Sequence, residues 1–165
     1  MRKMYFEDFQ EGGVFWGDTV VADRDEMLAY NRQNDPWPFH IDEAAAKQSP
    51  FGGIIASGGY TITLMYRSCV GVYNTPERQW QFLGGLDWKL KFAHPVRIGD
   101  RLRVKLTVQK KTVSSKRGRG ILNNHVEMIN QNDEVVMPID IVALLATRPM
   151  NEVRASHSIA TGENQ

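Results

Sequence analysis

Ser57-Gly58-Gly59-Tyr60-Thr61-Ile62-Thr63-Leu64-Met65-Tyr66-Arg67-Ser68-Cys69-Val70-Gly71-Val72 is the stretch that decides the fold. Tyr60, Leu64, Met65, Cys69 and Val72 recur at helical spacing, and Ile62 and Thr63 broaden the apolar face. A helix is therefore predicted from Ser57 or Gly58 to about Val72. It is apolar nearly all round, which predicts burial. The cover for it follows in the chain. Beyond the break at Asn74-Thr75-Pro76, strand-like segments run roughly from Leu86 to Phe92, Arg101 to Val113, Gly120 to Gln131 and Glu134 to Thr147. Turn signals at Gly99-Asp100, Ser114 to Gly118 and Asn130 to Asp133 separate them. From Arg101 to Val108 the alternation is strict, so one face is wet and the other packs on the helix. Helices early and an antiparallel meander late, wrapped on one buried helix, predict an α+β domain.

On the N-terminal side, Val14 to Val21 has strand composition, and Asp23-Arg24-Asp25-Glu26 reads as a helix start whose short carboxylates suit free amides. Met27 and Tyr30, with Leu28 beside them, face the core. This helix ends before Asp35-Pro36, because a residue preceding proline is pushed out of the helical region. Asp42 caps a second short helix through Ala44 to Lys47, stopped by Ser49-Pro50.

Between those two helices lies Asp35-Pro36-Trp37-Pro38-Phe39-His40. Two prolines make regular helix unexpected there and reduce the entropy lost on fixing the flanking carboxylate and imidazole. Such a pair moves protons near neutral pH and can hold and activate one water. The first amides of the helix at Ser57-Gly58-Gly59 offer a place for negative charge, since glycine lets a substrate oxygen approach the backbone and a helix N-terminus is partially positive. A thioester carbonyl held there is polarised towards an enolate. Each element also has a plain structural reading: Asp35 as a turn or cap residue, His40 as a core histidine, Ser57-Gly58-Gly59 as a close-packed helix cap. Their convergence in one segment is what favours chemistry.

Composition bounds the rest. The 165 residues suit one domain, taken as 1–149, followed by a polar tail over 150–165. Twenty Lys and Arg against 19 Asp and Glu give a net charge of +1, which offers no footprint for nucleic acid. No secretory signal or membrane span is read in the sequence, and a single cysteine, Cys69, suits a cytoplasmic setting and a core position. His94, His125 and His157 show no metal-ligand spacing, so no metal is expected. Lys110-Lys111 and Lys116-Arg117-Gly118-Arg119 read as a solvated turn or, more sharply, as a contact for the phosphates of a ligand. Trp80, Phe82 and Trp88 read as core filling or as the lining of an acyl tunnel.

Asp35-x-x-Pro-x-His40, the Ala56-Ser57-Gly58-Gly59 helix start and Pro95-Val96-Arg97-Ile98-Gly99-Asp100-Arg101-Leu102 together resemble the MaoC-like dehydratase family, over about Phe6 to Pro149. Its best understood members are R-specific enoyl-CoA hydratases. The resemblance implies a hotdog fold, in which an antiparallel sheet wraps a long helix, and a homodimer or higher homo-oligomer. It also implies Asp35 and His40 as the pair that activates water for syn addition across the 2,3 double bond of an enoyl thioester. Gly58 falls where the oxyanion amide is expected, with Ser57 and Gly59 beside it in the substrate site. The implied partner is an acyl-CoA or acyl carrier protein thioester, with no cofactor beyond the coenzyme A of the substrate. Two positions depart from the best-known hydratases: Trp37 stands where they carry Asn, and Tyr66 where they carry Ser, so both are candidates for setting the acyl preference. The alternatives are a hotdog thioesterase, disfavoured because no acidic residue lies between Gly58 and Val72, and a non-catalytic acyl-binding subunit, disfavoured by the intact Asp35 and His40.

Overall fold

Ser57 accepts from the Tyr60 amide through its side chain and from the Thr61 amide through its carbonyl, and so starts helix α4, Gly58–Tyr73. In the computed structural model, which describes residues 1–149, this helix is the axis about which the other elements are arranged. The predicted tail and His157 lie outside the described residues. Tyr60, Leu64, Met65, Cys69 and Val72 are buried, as their spacing requires. The burial is not all round, however: Tyr66 is 52% exposed and Val70 45%. One stripe of α4 thus faces outward beside Arg67.

The meander is present and antiparallel. Its strands are β5 (Phe82–Leu90), β6 (Arg101–Val113), β7 (Arg119–Ile129) and β8 (Val135–Ala146). With β2 (Val14–Trp16) they form a sheet in the order β2-β6-β7-β8-β5, and β3 (Val20–Val21) continues alongside β6. Leu102, Val104, Leu106 and Val108 alternate inward from β6, Leu122, Val126 and Met128 from β7, and Ile139, Ala143 and Leu145 from β8. All close on α4, which is the hotdog arrangement. Strand β5 begins at Phe82, earlier than its composition indicates, because Gly84 and Gly85 sit where its register against β8 shifts. A separate parallel pair, β1 (Arg2–Met4) with β4 (Arg78–Trp80), was not signalled by the sequence.

The single strand expected over Val14 to Val21 is two strands, and the cause is packing. Gly17 is pressed against α4 so closely that a Cβ there would lie 2.3 Å from the Ser68 carbonyl oxygen. The Asp18 amide donates to that carbonyl, the Ser68 hydroxyl donates to the Asp18 carbonyl, and the Val104 amide donates to the same hydroxyl. Ser68 thereby replaces the missing ladder bonds.

On the other side stand α1 (Arg24–Asn34), capped by Asp23, and α3 (Glu43–Gln48), capped by Asp42, both near their predicted places. Between them Pro38–Ile41 forms one turn of helix, α2, where no helix was expected. Pro38 occupies its first turn, where a missing N–H costs nothing and the fixed φ is already helical. Gly99, with φ +85, makes the predicted turn, and Asp100 accepts there from the Arg97 amide and the Gln131 side chain.

Candidate active site

His40 lies on α2 with its side chain only 7% exposed, and Asp35, the C-cap of α1, is 40% exposed at its side chain. The His40 Nε2 to Asp35 Oδ2 distance is 3.6 Å. That exceeds a hydrogen bond, so the two groups face a shared point without bonding each other. The other ring nitrogen, Nδ1, lies 2.9 Å from the Ile55 carbonyl oxygen. A carbonyl only accepts, so Nδ1 carries the proton and, in the neutral ring, Nε2 presents its lone pair. A lone pair and a carboxylate oxygen therefore converge on one spot, and a water can donate one O–H to each.

Asn31, fully buried on α1, ties this pair to the start of α4. Its side-chain nitrogen donates to the His40 carbonyl at 3.1 Å and the Ile55 carbonyl at 3.3 Å, and its oxygen accepts from the Ser57 amide at 3.2 Å. The sequence reading did not single out Asn31. The signal was present: Met27, Leu28 and Asn31 share one helical face, and the first two are core residues.

Gly58 and Gly59 open α4, where neighbouring aromatic side chains close in on the backbone. A Cβ at Gly58 would stand 2.7 Å from the ring of Phe92, and one at Gly59 2.7 Å from the phenol oxygen of Tyr30. The first amides of a helix have no intrahelical acceptor, and Asn31 links this helix start, at Ser57, to the His40 backbone. Trp37 is 61% exposed and stacks on Phe39, whose ring also contacts His40 at 4.5 Å.

Farther along α4 is a cavity of about 590 Å³ lined by Met65, Tyr66, Cys69, Tyr73 and residues of β4, β5, β6, β7 and β8. Tyr66, Trp80, Phe82 and Trp88 all border it; Trp37 does not. Burial pushes the Cys69 and Tyr73 groups up to about 12, so both stay protonated and neutral. Two buried polar atoms of the lining residues, Trp80 Nε1 and Asn124 Oδ1, have no hydrogen-bond partner among the described residues. Each such atom costs about 1–3 kcal/mol.

Other candidates separate from this site. His125 pairs with Asp140 at 2.7 Å on the sheet, and His94 is exposed. Lys111 is committed to the Phe9 carbonyl and the Phe6 ring, while Lys110, Lys116, Arg117 and Arg119 are exposed around the β6–β7 hairpin. Among the described residues no cluster of His, Cys, Asp or Glu has the makings of a metal site, and no helix is long and apolar enough to cross a membrane.

Residues 13–129 match the family model described as MaoC like domain. A 3-hydroxybutyryl-CoA dehydratase of Methylorubrum extorquens is 31% identical over 119 residues, which cover 72% of this chain and 73% of that protein. An uncharacterized protein of Bacillus subtilis, YdeM, is 31% identical over 64 residues, 39% of this chain and only 45% of its own length. The crystal structure of the MaoC-like dehydratase from Rhodospirillum rubrum superposes with a TM-score of 0.81 at 30% identity, covering 89% of this chain and 99% of that one. Matched over most of its length in both sequence and fold, the chain belongs to the MaoC-like domain family.

Proposed function

We propose that the protein is an acyl-thioester hydratase or dehydratase, acting on the 2,3 double bond of an enoyl thioester. The observation that carries this reading is the convergence of His40 Nε2 and Asp35 Oδ2, 3.6 Å apart, with the ring tautomer set by the Ile55 carbonyl. One water donates an O–H to each. His40 takes a proton as the water oxygen bonds to C3 of the enoyl group, while the O–H on Asp35 remains with the new hydroxyl. Negative charge moves to the thioester oxygen, where the Gly58 amide stabilises it as an enolate. The proton on His40 then passes to C2. Because one pair supplies both the oxygen and the proton, addition is to one face, hence syn, and dehydration runs the same steps backwards. The absence of any Asp or Glu from α4 favours attack at C3 over attack at the carbonyl.

Incubating the purified protein with crotonyl-CoA and longer enoyl-CoAs tests the reading. Conjugated enoyl absorbance should disappear with no release of free thiol. Thiol release with the double bond intact would replace hydratase by thioesterase. No change on any acyl chain would leave a non-catalytic acyl-binding subunit.

A further inference from the structure

The start of α4 has two neighbours of opposite character. Nearest to Gly58 is the ring of Phe92, which offers only carbon, and nearest to Gly59 is the phenol oxygen of Tyr30. Ser57 takes up the Tyr60 and Thr61 amides, so those of Gly58 and Gly59 are the ones left without an acceptor among the described residues. Tyr30 is half-buried on α1, its ring packed at 5.5 Å on that of the fully buried Tyr60. The Tyr60 hydroxyl donates to Glu26, whereas the Tyr30 hydroxyl has no partner among the described residues. Packing fixes the ring and leaves its polar end open beside two open amides.

The spacing suits one shared acceptor. A Cβ at Gly59 would stand 2.7 Å from the phenol oxygen. Because a Cβ is about 2.5 Å from the nitrogen of its own residue, that oxygen lies within about 5 Å of the Gly59 nitrogen. Two donors that close can both reach one oxygen at ordinary hydrogen-bond length, about 2.9 Å from each. An amide N–H only donates and a phenol O–H donates readily, so the group that answers them together is an acceptor oxygen. An ammonium cannot accept from the amides, and an alkyl group answers none of them.

The same stretch of α1 carries other parts of the site. Asn31, next to Tyr30, bonds the Ser57 amide and the His40 carbonyl, and Asp35 caps the helix. We propose that Tyr30 is a further catalytic residue, whose hydroxyl donates to the thioester oxygen together with the first amides of α4 and so shares the negative charge of the enolate. No proton is transferred: the O–H keeps its hydrogen, and its bond to the oxygen strengthens as charge develops there. The inference rests on the hydratase reading for the identity of the oxygen, and on Tyr30 and the helix start alone for the donors. The plain alternative is a packing tyrosine whose hydroxyl meets water.

Tyr30→Phe separates the two, because it keeps the ring on Tyr60 and removes only the hydroxyl. Two quantities are measured on each purified protein. One is kcat and KM for hydration of crotonyl-CoA. The other is the infrared carbonyl stretch of bound butyryl-CoA labelled with carbon-13 at the thioester carbon, a saturated chain that cannot be hydrated. In Tyr30→Phe kcat should fall about 10- to 10³-fold while KM changes by less than about threefold, since the bond is strongest in the transition state. In the wild type the bound carbonyl should absorb at lower frequency than free butyryl-CoA, and Tyr30→Phe should move it part of the way back. A packing role would lower the urea midpoint and leave that frequency where it is. The same carbonyl frequency in both proteins would overturn the proposal even if kcat fell, and so would a kcat within about twofold of a wild type that hydrates. A carbonyl shift that depends on Tyr30 in a protein that does not hydrate sinks the hydratase reading and keeps the donor. Hydration without any such dependence sinks the Tyr30 proposal alone.

Discussion

Asn31 carries more of the site than its single side chain suggests. It bonds the carbonyls of His40 and Ile55 and the amide of Ser57, and the Ile55 carbonyl in turn holds His40 Nδ1. Removing it takes a partner from the His40 carbonyl and from the Ser57 amide, while the Ile55 carbonyl keeps His40 Nδ1. Asn31→Ala should lower stability by about 1–3 kcal/mol, measured by urea unfolding. Asn31→Asp should be worse than Ala, because a buried carboxylate would face two carbonyl oxygens. If Asp proves as stable as Asn, the network does not have these donors and acceptors. The sequence showed Asp35 and His40 because proline punctuation isolates them. It did not show Asn31, since an asparagine on a helix looks polar until the face it shares with Met27 and Leu28 is drawn. Nor did residue type place Trp37, which lies on the outer surface against Phe39 while Tyr66 alone of the two departures borders the cavity.

Elements meet through local devices that periodicity does not display. Helices α1 and α4 and the meander were legible because their apolar residues repeat. The break in the N-terminal strand was not, because it depends on Gly17 meeting Ser68 across 51 positions of sequence. The turn of helix at Pro38–Ile41 was missed for a different reason: proline forbids the interior of a helix but suits its first turn. The α1–α4 contact also has an electrostatic clasp, in which Glu26 accepts from Arg67 at both oxygens and from the Tyr60 hydroxyl. Chiefly through the Arg67 hydrogen bonds, Glu26 is held below its ordinary value of 4.5, against the opposing effect of burial. Its folded-state value is thus depressed, so the stabilisation is fully present above 4.5 and is lost as pH falls through the lower folded value. Glu26→Gln should cost up to about 1 kcal/mol at neutral pH, a small amount because the pair is partly exposed. The difference between variant and wild type should vanish in acid. Denaturation across a pH series checks this, and a gap that widens on acidification would reverse the assignment.

In the whole molecule, the outward stripe of α4 and the outer edge strand raise one question together. Tyr66 and Val70 are exposed on α4, and Phe82, Leu83 and Leu86 on β5, which among the described residues pairs only with β8. An open, apolar edge strand invites pairing. We expect a second copy of this chain to cover it, giving at least a dimer by light scattering over a dilution series, and an active 18.8 kDa monomer would contradict that. The architecture was readable because an apolar helix followed by an alternating meander has few ways to fold. The cavity along α4 was not, since its lining comes together only when strands β4 to β8 fold against the helix. The central claim is that Asp35 and His40 together activate water. It is tested most directly by kcat/KM for crotonyl-CoA hydration in the wild type, Asp35→Asn, His40→Gln and the double variant. Each single change should lower it by about 10²–10⁴ with the fold intact, and the double variant should be little worse than either, because the two groups act as a unit. A correctly folded single variant that hydrates at nearly the wild-type rate would contradict the account.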